Sequence, residues 1–186
     1  ASVTAPGTVQ HLHATRCALG EPGGGLTPRL AALSQLLASA GLDAPALPDL
    51  LPELWLKLAA NVAYNPAGLL TGATIGGLIE DPGTAGVLAE LMQETFAVGA
   101  ALGVAAPVTP PQLMAMTRNV ADHRPSMWHD LEAGRPLELE PIVGAVLELA
   151  RRCGVAVPAI ARIHALARQR ALSAGCAVDV LPAAAG

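Results

Sequence analysis

Proline and glycine cut the chain after residue 27 into apolar segments of helical length, and this punctuation restricts the fold more than any other feature. Thr27-Pro28 reads as a cap followed by a first-turn proline, and Gly41 as that helix's stop. Leu30, Leu33, Leu36 and Leu37 give it an apolar face. Asp49 caps a long helix predicted to reach Tyr64 or beyond, where Asn65-Pro66 is placed to kink or break it. A helix over 83–102 carries Val87, Leu91, Phe96 and Val98 on its apolar side, and Thr109-Pro110-Pro111 opens another running to 121. Three more are predicted over 125–133, 141–153 and 158–173, the first two closed by Gly134 and Gly154. Strand character is confined to residues 1–21, where Val9, His11 and His13 alternate with Gln10, Leu12 and Ala14. An isolated hairpin is marginal in water, so these strands are expected to belong to a sheet lying mostly outside this sequence. The expected fold is mainly α, a helical domain behind a short β-stub.

With 52% hydrophobic and 14% charged residues among 186, the chain can bury a sizeable core. Residues 58–79 and 96–117 carry no charge over about the length of a bilayer span. Asn61, Asn65, Pro66 and several glycines interrupt the first, and Pro107, Pro110 and Pro111 the second, so both read as buried helices and turns, with no membrane partner. A net charge of −4 without a basic stripe argues against nucleic acid. Cys17, Cys153 and Cys176 show neither a disulfide framework nor metal-ligand spacing. The first residues lack the charged-then-apolar pattern of a secretory leader. A reduced, cytoplasmic setting is expected.

Among 11 basic residues only Lys57 is a lysine, and Asn61 and Asn65 follow it at four-residue steps. At about 100° per residue, positions 57, 61 and 65 share one helix face. That stripe presents one amine and two carboxamides between apolar neighbours. A half-buried amine has its charged form disfavoured and can donate a proton near neutral pH, which arginine cannot. The amides can hydrogen-bond a carbonyl or hydroxyl of a bound molecule. Alternatively, Glu53 four residues earlier forms an ordinary ion pair with Lys57, and the asparagines satisfy loop backbone.

A second polar group lies in Pro125-Ser-Met-Trp-His-Asp130, with Glu138 downstream. Ser126 caps the short helix or binds a ligand carboxylate; Glu138 complements a helix dipole or binds a ligand. A Ser126–His129–Asp130 triad has no nucleophile elbow to support it. His11 and His13 suit an edge strand better than a chelate, and no metal site is expected.

The segment Leu54-Trp-Leu-Lys-Leu-Ala-Ala-Asn-Val-Ala-Tyr-Asn-Pro66 resembles the WxKxxxNxxxNP segment of the ketopantoate reductases (2-dehydropantoate 2-reductases). Ser126-Met with Asp130, Gly134-Arg135 and Glu138 is similar to that family's SMxxDxxxGRxTEID segment, and Gly154-Val-Ala-Val-Pro158 to its closing turn. The opening Pro6-Gly-Thr-Val, through Leu19-Gly-Glu21, resembles the last strands of its nucleotide-binding domain. Leu137 and Glu140 depart from the family's Thr and Asp, and Val143-Gly144 from its Asn-Gly, which puts the exact 2-keto acid in doubt.

The resemblance implies residues 1–22 as terminal strands of a Rossmann domain. It implies residues 23–186 as a helical substrate-binding and dimerisation domain of 6-phosphogluconate-dehydrogenase-like type. It implies NADPH-dependent reduction of ketopantoate to pantoate, toward pantothenate and coenzyme A, by a cytoplasmic homodimer. Cofactor-binding residues would lie in the upstream domain, and the sequence given should be inactive alone. Lys57 would be the general acid, Glu138 would bind the substrate hydroxyl and position Lys57, Asn61 and Asn65 would hydrogen-bond substrate oxygens, and Ser126 would hold its carboxylate. A non-catalytic binding or dimerisation module on the same scaffold is the alternative.

Overall fold

The computed structural model describes residues 2–10 and 15–178. The chain divides into two compact units, Ala1–Leu51 and Pro52–Gly186.

In the first unit, β1 (Ser2–Ala5) and β2 (Thr8–Gln10) form an antiparallel hairpin around Pro6-Gly7, pairing Val3 with Val9. The alternation at His11 and His13 lies outside the described residues. Residues 15–19 then run parallel to 43–47, held by Cys17 N–H to the Asp43 carbonyl at 2.7 Å and Leu47 N–H to the Leu19 carbonyl at 2.8 Å. That pairing was invisible in the sequence, because Pro45 interrupts 43–47 and the segment lacks strand alternation. Between the two segments lies α1 (Pro28–Ser39). Thr27 caps it by accepting the Leu30 N–H at 3.1 Å, and Pro28 sits in its first turn, as the sequence predicts. Its expected apolar face is not buried: Leu30 is, but Leu33 and Leu36 are 42% and 65% exposed.

The second unit is built around α2 (Leu51–Thr71). Pro66 does not break this helix. A proline removes one N–H and crowds the preceding turn, but every residue from Val62 to Leu69 is buried, and packing on all sides carries the helix through. The short α3 (Ile75–Glu80) leads into α4 (Pro82–Ala101), which Asp81 caps by accepting the Thr84 N–H at 2.8 Å. Helix α4 buries Leu88, Leu91, Met92, Thr95, Phe96 and Val98. Leu91, Phe96 and Val98 are buried as expected, but Val87 is 44% exposed and Leu88 takes its place in the core.

Helix α5 (Pro110–Met116) opens with the Gln112 side chain accepting the Thr109 N–H at 2.8 Å, and passes into a 3-10 turn at Thr117–Val120. After α6 (Ser126–Glu132), Leu137, Leu139 and Val143 are fully buried, and residues Glu140–Gly144 form a π-turn rather than the first turn of a regular helix. Helix α7 (Ala145–Cys153) ends on Gly154 at φ 68°, a left-handed C-cap that favours glycine. Helix α8 (Pro158–Ser173) follows. Both α7 and α8 pack on α4. The protein is mainly helical with a two-stranded sheet, as the sequence leads one to expect. Among the described residues, no helix is long and apolar enough to cross a membrane.

Candidate active site

Lys57, Asn61 and Asn65 occupy successive turns of α2 on one face, and burial grades along them. Lys57 is exposed, Asn61 is half-buried and Asn65 is 3% exposed. The stripe therefore descends from solvent into the interior. This corrects the expectation of a half-buried amine at Lys57. Its neighbours Leu56 and Leu58 pack against the core on the other side of the helix, and the fully buried part of α2 begins only near Ala59. Lys57 makes no hydrogen bond or ion pair with any described residue, so the ordinary pair with Glu53 is not formed.

Two contacts fix α2 around the stripe. The Trp55 indole N–H donates to the Thr95 carbonyl on α4 at 2.9 Å. The Tyr64 hydroxyl pairs with the Thr117 hydroxyl at 2.8 Å. Burial pushes the Tyr64 phenol up from its ordinary value, and the Thr117 bond opposes that rise.

Ser126 is the first residue of α6, but it does not cap that helix. Pro125 occupies the cap position and no side chain bonds the first-turn amides. The Ser126 hydroxyl instead reaches across 61 residues of sequence and donates to the Asn65 Oδ1 at 3.4 Å. The structure thus brings the two polar segments together at the inner end of the stripe. Just ahead, the Arg124 Nε donates to the Gly72 carbonyl at 2.9 Å, and its guanidinium lies 4.4 Å above the Trp128 ring. Sequence reasoning missed this anchor. Its only trace was a basic residue two positions before Ser126.

Glu138 is exposed, between the fully buried Leu137 and Leu139. Burying both neighbours forces the intervening side chain outward. Glu138 makes no side-chain bond with a described residue, so the structure does not bring it against Lys57. The imagined triad is absent: Asp130 pairs with Arg135 at 2.7 Å, and the His129 ring stands edge-on to Trp128 with centroids 5.0 Å apart. Among the described residues, no group of His, Cys, Asp and Glu side chains is placed to hold a metal ion; His11 and His13 lie outside them.

The face offers an amine, two carboxamides and a hydroxyl, a donor-rich set suited to an anionic, oxygen-bearing small molecule. The family model described as ketopantoate reductase PanE/ApbA C terminal matches residues 49–171, spanning α2 to α8. The chain belongs to the ketopantoate reductase family. Among its ketopantoate reductase relatives, the 2-dehydropantoate 2-reductase of Mesorhizobium japonicum is 38% identical over 174 residues, 94% of this chain and 53% of that protein. The 2-dehydropantoate 2-reductase of Nostoc is 33% identical, over 83% of this chain and 50% of that protein. The crystal structure of 2-dehydropantoate 2-reductase from Methylococcus capsulatus superposes with a TM-score of 0.82 at 32% identity, over 92% of this chain and 60% of that one. The chain spans about half the length of the curated ketopantoate reductases it matches.

Proposed function

We propose that this chain supplies the substrate half of an NADPH-dependent 2-dehydropantoate 2-reductase, reducing ketopantoate to pantoate on the route to pantothenate and coenzyme A. The observation that carries this reading is the Asn65–Ser126 contact, which joins the two motif segments on one face. Residues 1–22 then end the nucleotide-binding domain, and residues 23–186 bind substrate and dimerise. The assembly is a cytoplasmic homodimer without nucleic-acid or membrane partners. Leu166 and Leu172 on α8, 60% and 49% exposed, suit a further protein surface.

In this reading the Ser126 hydroxyl turns from its long bond with Asn65 and donates to the substrate carboxylate, which leaves the Asn65 carboxamide to hydrogen-bond a substrate oxygen. Asn61, one turn nearer solvent, hydrogen-bonds the substrate oxygens. Lys57 lies about 12 Å along the helix axis from Asn65, and its long side chain has to span that gap to reach the keto oxygen, which sits on the carbon bonded to the carboxylate. NADPH, when bound, supplies the hydride. Lys57 holds the proton that the carbonyl oxygen takes up as its carbon is reduced, and a positioned acid of this kind contributes about 10²–10⁴-fold. Glu138 binds the substrate hydroxyl. The donor set fits a keto acid presented to a hydride donor, and residues for the dinucleotide itself are not assigned in this chain.

The test is NADPH oxidation with ketopantoate by the whole polypeptide containing this chain. Lys57→Ala is expected to lower kcat by about 10²-fold or more while substrate still binds. Retained turnover in that variant defeats the assignment of Lys57. A wild-type protein silent with ketopantoate but active on another 2-keto acid keeps the mechanism and changes the substrate.

A further inference from the structure

We propose that Gly68 is a positioning residue: its missing side chain lets Pro125 seat directly on α2 and so sets Ser126 against Asn65. The inference rests on the reading of Ser126 above.

The polar stripe of α2 does not end at Asn65. Gly68 continues the same face at helical spacing, and Gly72, at φ 70°, follows directly on the end of the helix. Three consecutive residues run antiparallel along this part of the face. The Arg124 Nε bonds the Gly72 carbonyl at 2.9 Å, Pro125 lies over Gly68, and the Ser126 hydroxyl meets Asn65 at 3.4 Å. The segment leaves α2 at Ser126, where α6 begins; Asn61 and Lys57 lie further along the same stripe.

Glycine inside a helix is unfavourable relative to alanine, so a buried glycine in the last turn of α2 calls for a packing reason. A Cβ on Gly68 would stand 2.6 Å from the Pro125 Cγ and 2.7 Å from its Cδ. Those atoms belong to a pyrrolidine ring, which cannot rotate aside as a flexible side chain would. The helix is buried on every side there, so the segment must give way. Arg124 resists sliding at one end, held by the Gly72 carbonyl and the Trp128 face. The displacement falls on Ser126, whose bond to Asn65 is already near the limit of hydrogen-bond distance.

The experiment measures KM for ketopantoate, kcat and Tm in the whole enzyme for Ser126→Ala, Gly68→Ala, Pro125→Ala and two double variants. Ser126→Ala is expected to raise KM about tenfold, the loss of one hydrogen bond to a charged group. Gly68→Ala should raise KM several-fold with kcat within about twofold of wild type. Gly68→Ala with Ser126→Ala should raise KM no further than Ser126→Ala alone, because both act on one contact. Gly68→Ala with Pro125→Ala should recover KM to within about twofold of wild type, because only the Pro125 Cβ, at 3.5 Å, then faces the new methyl. A merely structural glycine would lower Tm without this coupling or rescue.

Wild-type KM in Gly68→Ala, or a KM in the Gly68/Pro125 double variant as high as in Gly68→Ala, overturns the proposal. If Gly68→Ala does not fold, Pro125→Ala alone decides: it opens a gap against Gly68 and should raise KM, and an unchanged KM overturns the proposal. If Ser126→Ala leaves KM unchanged, the functional reading of Ser126 fails with it. An effective Ser126→Ala beside a silent Gly68→Ala defeats this inference alone.

Discussion

Glu94→Ala is expected to destabilise the protein by about 3 kcal/mol, although Glu94 lies outside the polar stripe and 65 residues from its partner in sequence. Helix α8 opens with Pro158, which has no N–H, and its cap residue Val157 offers no side-chain acceptor. Glu94 on α4 reaches across, its two carboxylate oxygens accepting from the Ala159 and Ile160 amides at 2.8 Å each. The next amide, Ala161, is taken by the Val157 carbonyl at 3.0 Å, so the first turn is fully satisfied. Ala159 and Ile160 are only 7% and 0% exposed, so water entering the gap replaces the lost acceptor only in part. A hydrogen bond to a charged group nets about 1.5–3 kcal/mol, and loss of a cap about 0.5–2. Two bonds sharing one carboxylate do not add in full, which gives about 3 kcal/mol.

For a chain of this length that lowers Tm by about 6–12 °C, at about 2–4 °C per kcal/mol. Glu94→Gln keeps one acceptor oxygen and should cost about half as much. Thermal and urea unfolding of both variants measure the difference, and hydrogen exchange at Ala159 and Ile160 should report local opening of α8. A Glu94→Ala protein within about 0.5 kcal/mol of wild type, with unchanged protection at those amides, refutes the tertiary cap.

Gly99→Ala should destabilise by about 1–3 kcal/mol net of the better helix propensity of alanine. The new Cβ falls on the Trp55 indole nitrogen, displacing its bond to the Thr95 carbonyl; urea unfolding and Trp fluorescence check it, and unchanged spectra would contradict the packing argument. On α7, bonding to the Arg151 and Arg152 guanidiniums holds the Glu148 carboxyl down at about 2, against an ordinary 4.5. A folded-state value below the unfolded one means the stabilisation is present above about pH 4.5 and is lost as pH falls toward about 2. The Tm gap between wild type and Glu148→Gln should therefore narrow on acidification through that window, modestly because the group is exposed. A gap that stays constant contradicts the linkage.

Local chemistry was legible where cause and effect sit within a few residues. The Thr27 cap, the first-turn prolines and the left-handed Gly154 all lie where the sequence predicts. Period placed Leu91, Phe96 and Val98 of α4 correctly but misplaced Val87 and, on α1, Leu33 and Leu36, because it says which residues share a side and not which of them meets the core. Asn65-Pro66 read as a helix break, yet the surrounding packing carries α2 to Thr71. The polar stripe at 57, 61 and 65 was plain from spacing, but the exposure of its lysine was not.

The sequence by itself determined the helical character, several of the helix caps and the membership of the ketopantoate reductase family. It did so because capping, helical period and motif spacing are properties of neighbouring residues. Only the tertiary structure decided that Ser126 turns from capping α6 to meeting Asn65, that Gly68 makes room for Pro125, and that Glu94 closes α8. Each of these joins groups more than fifty residues apart, and a contact of that kind exists only once the buried middle of α2 and the α4 surface have set the distance between them.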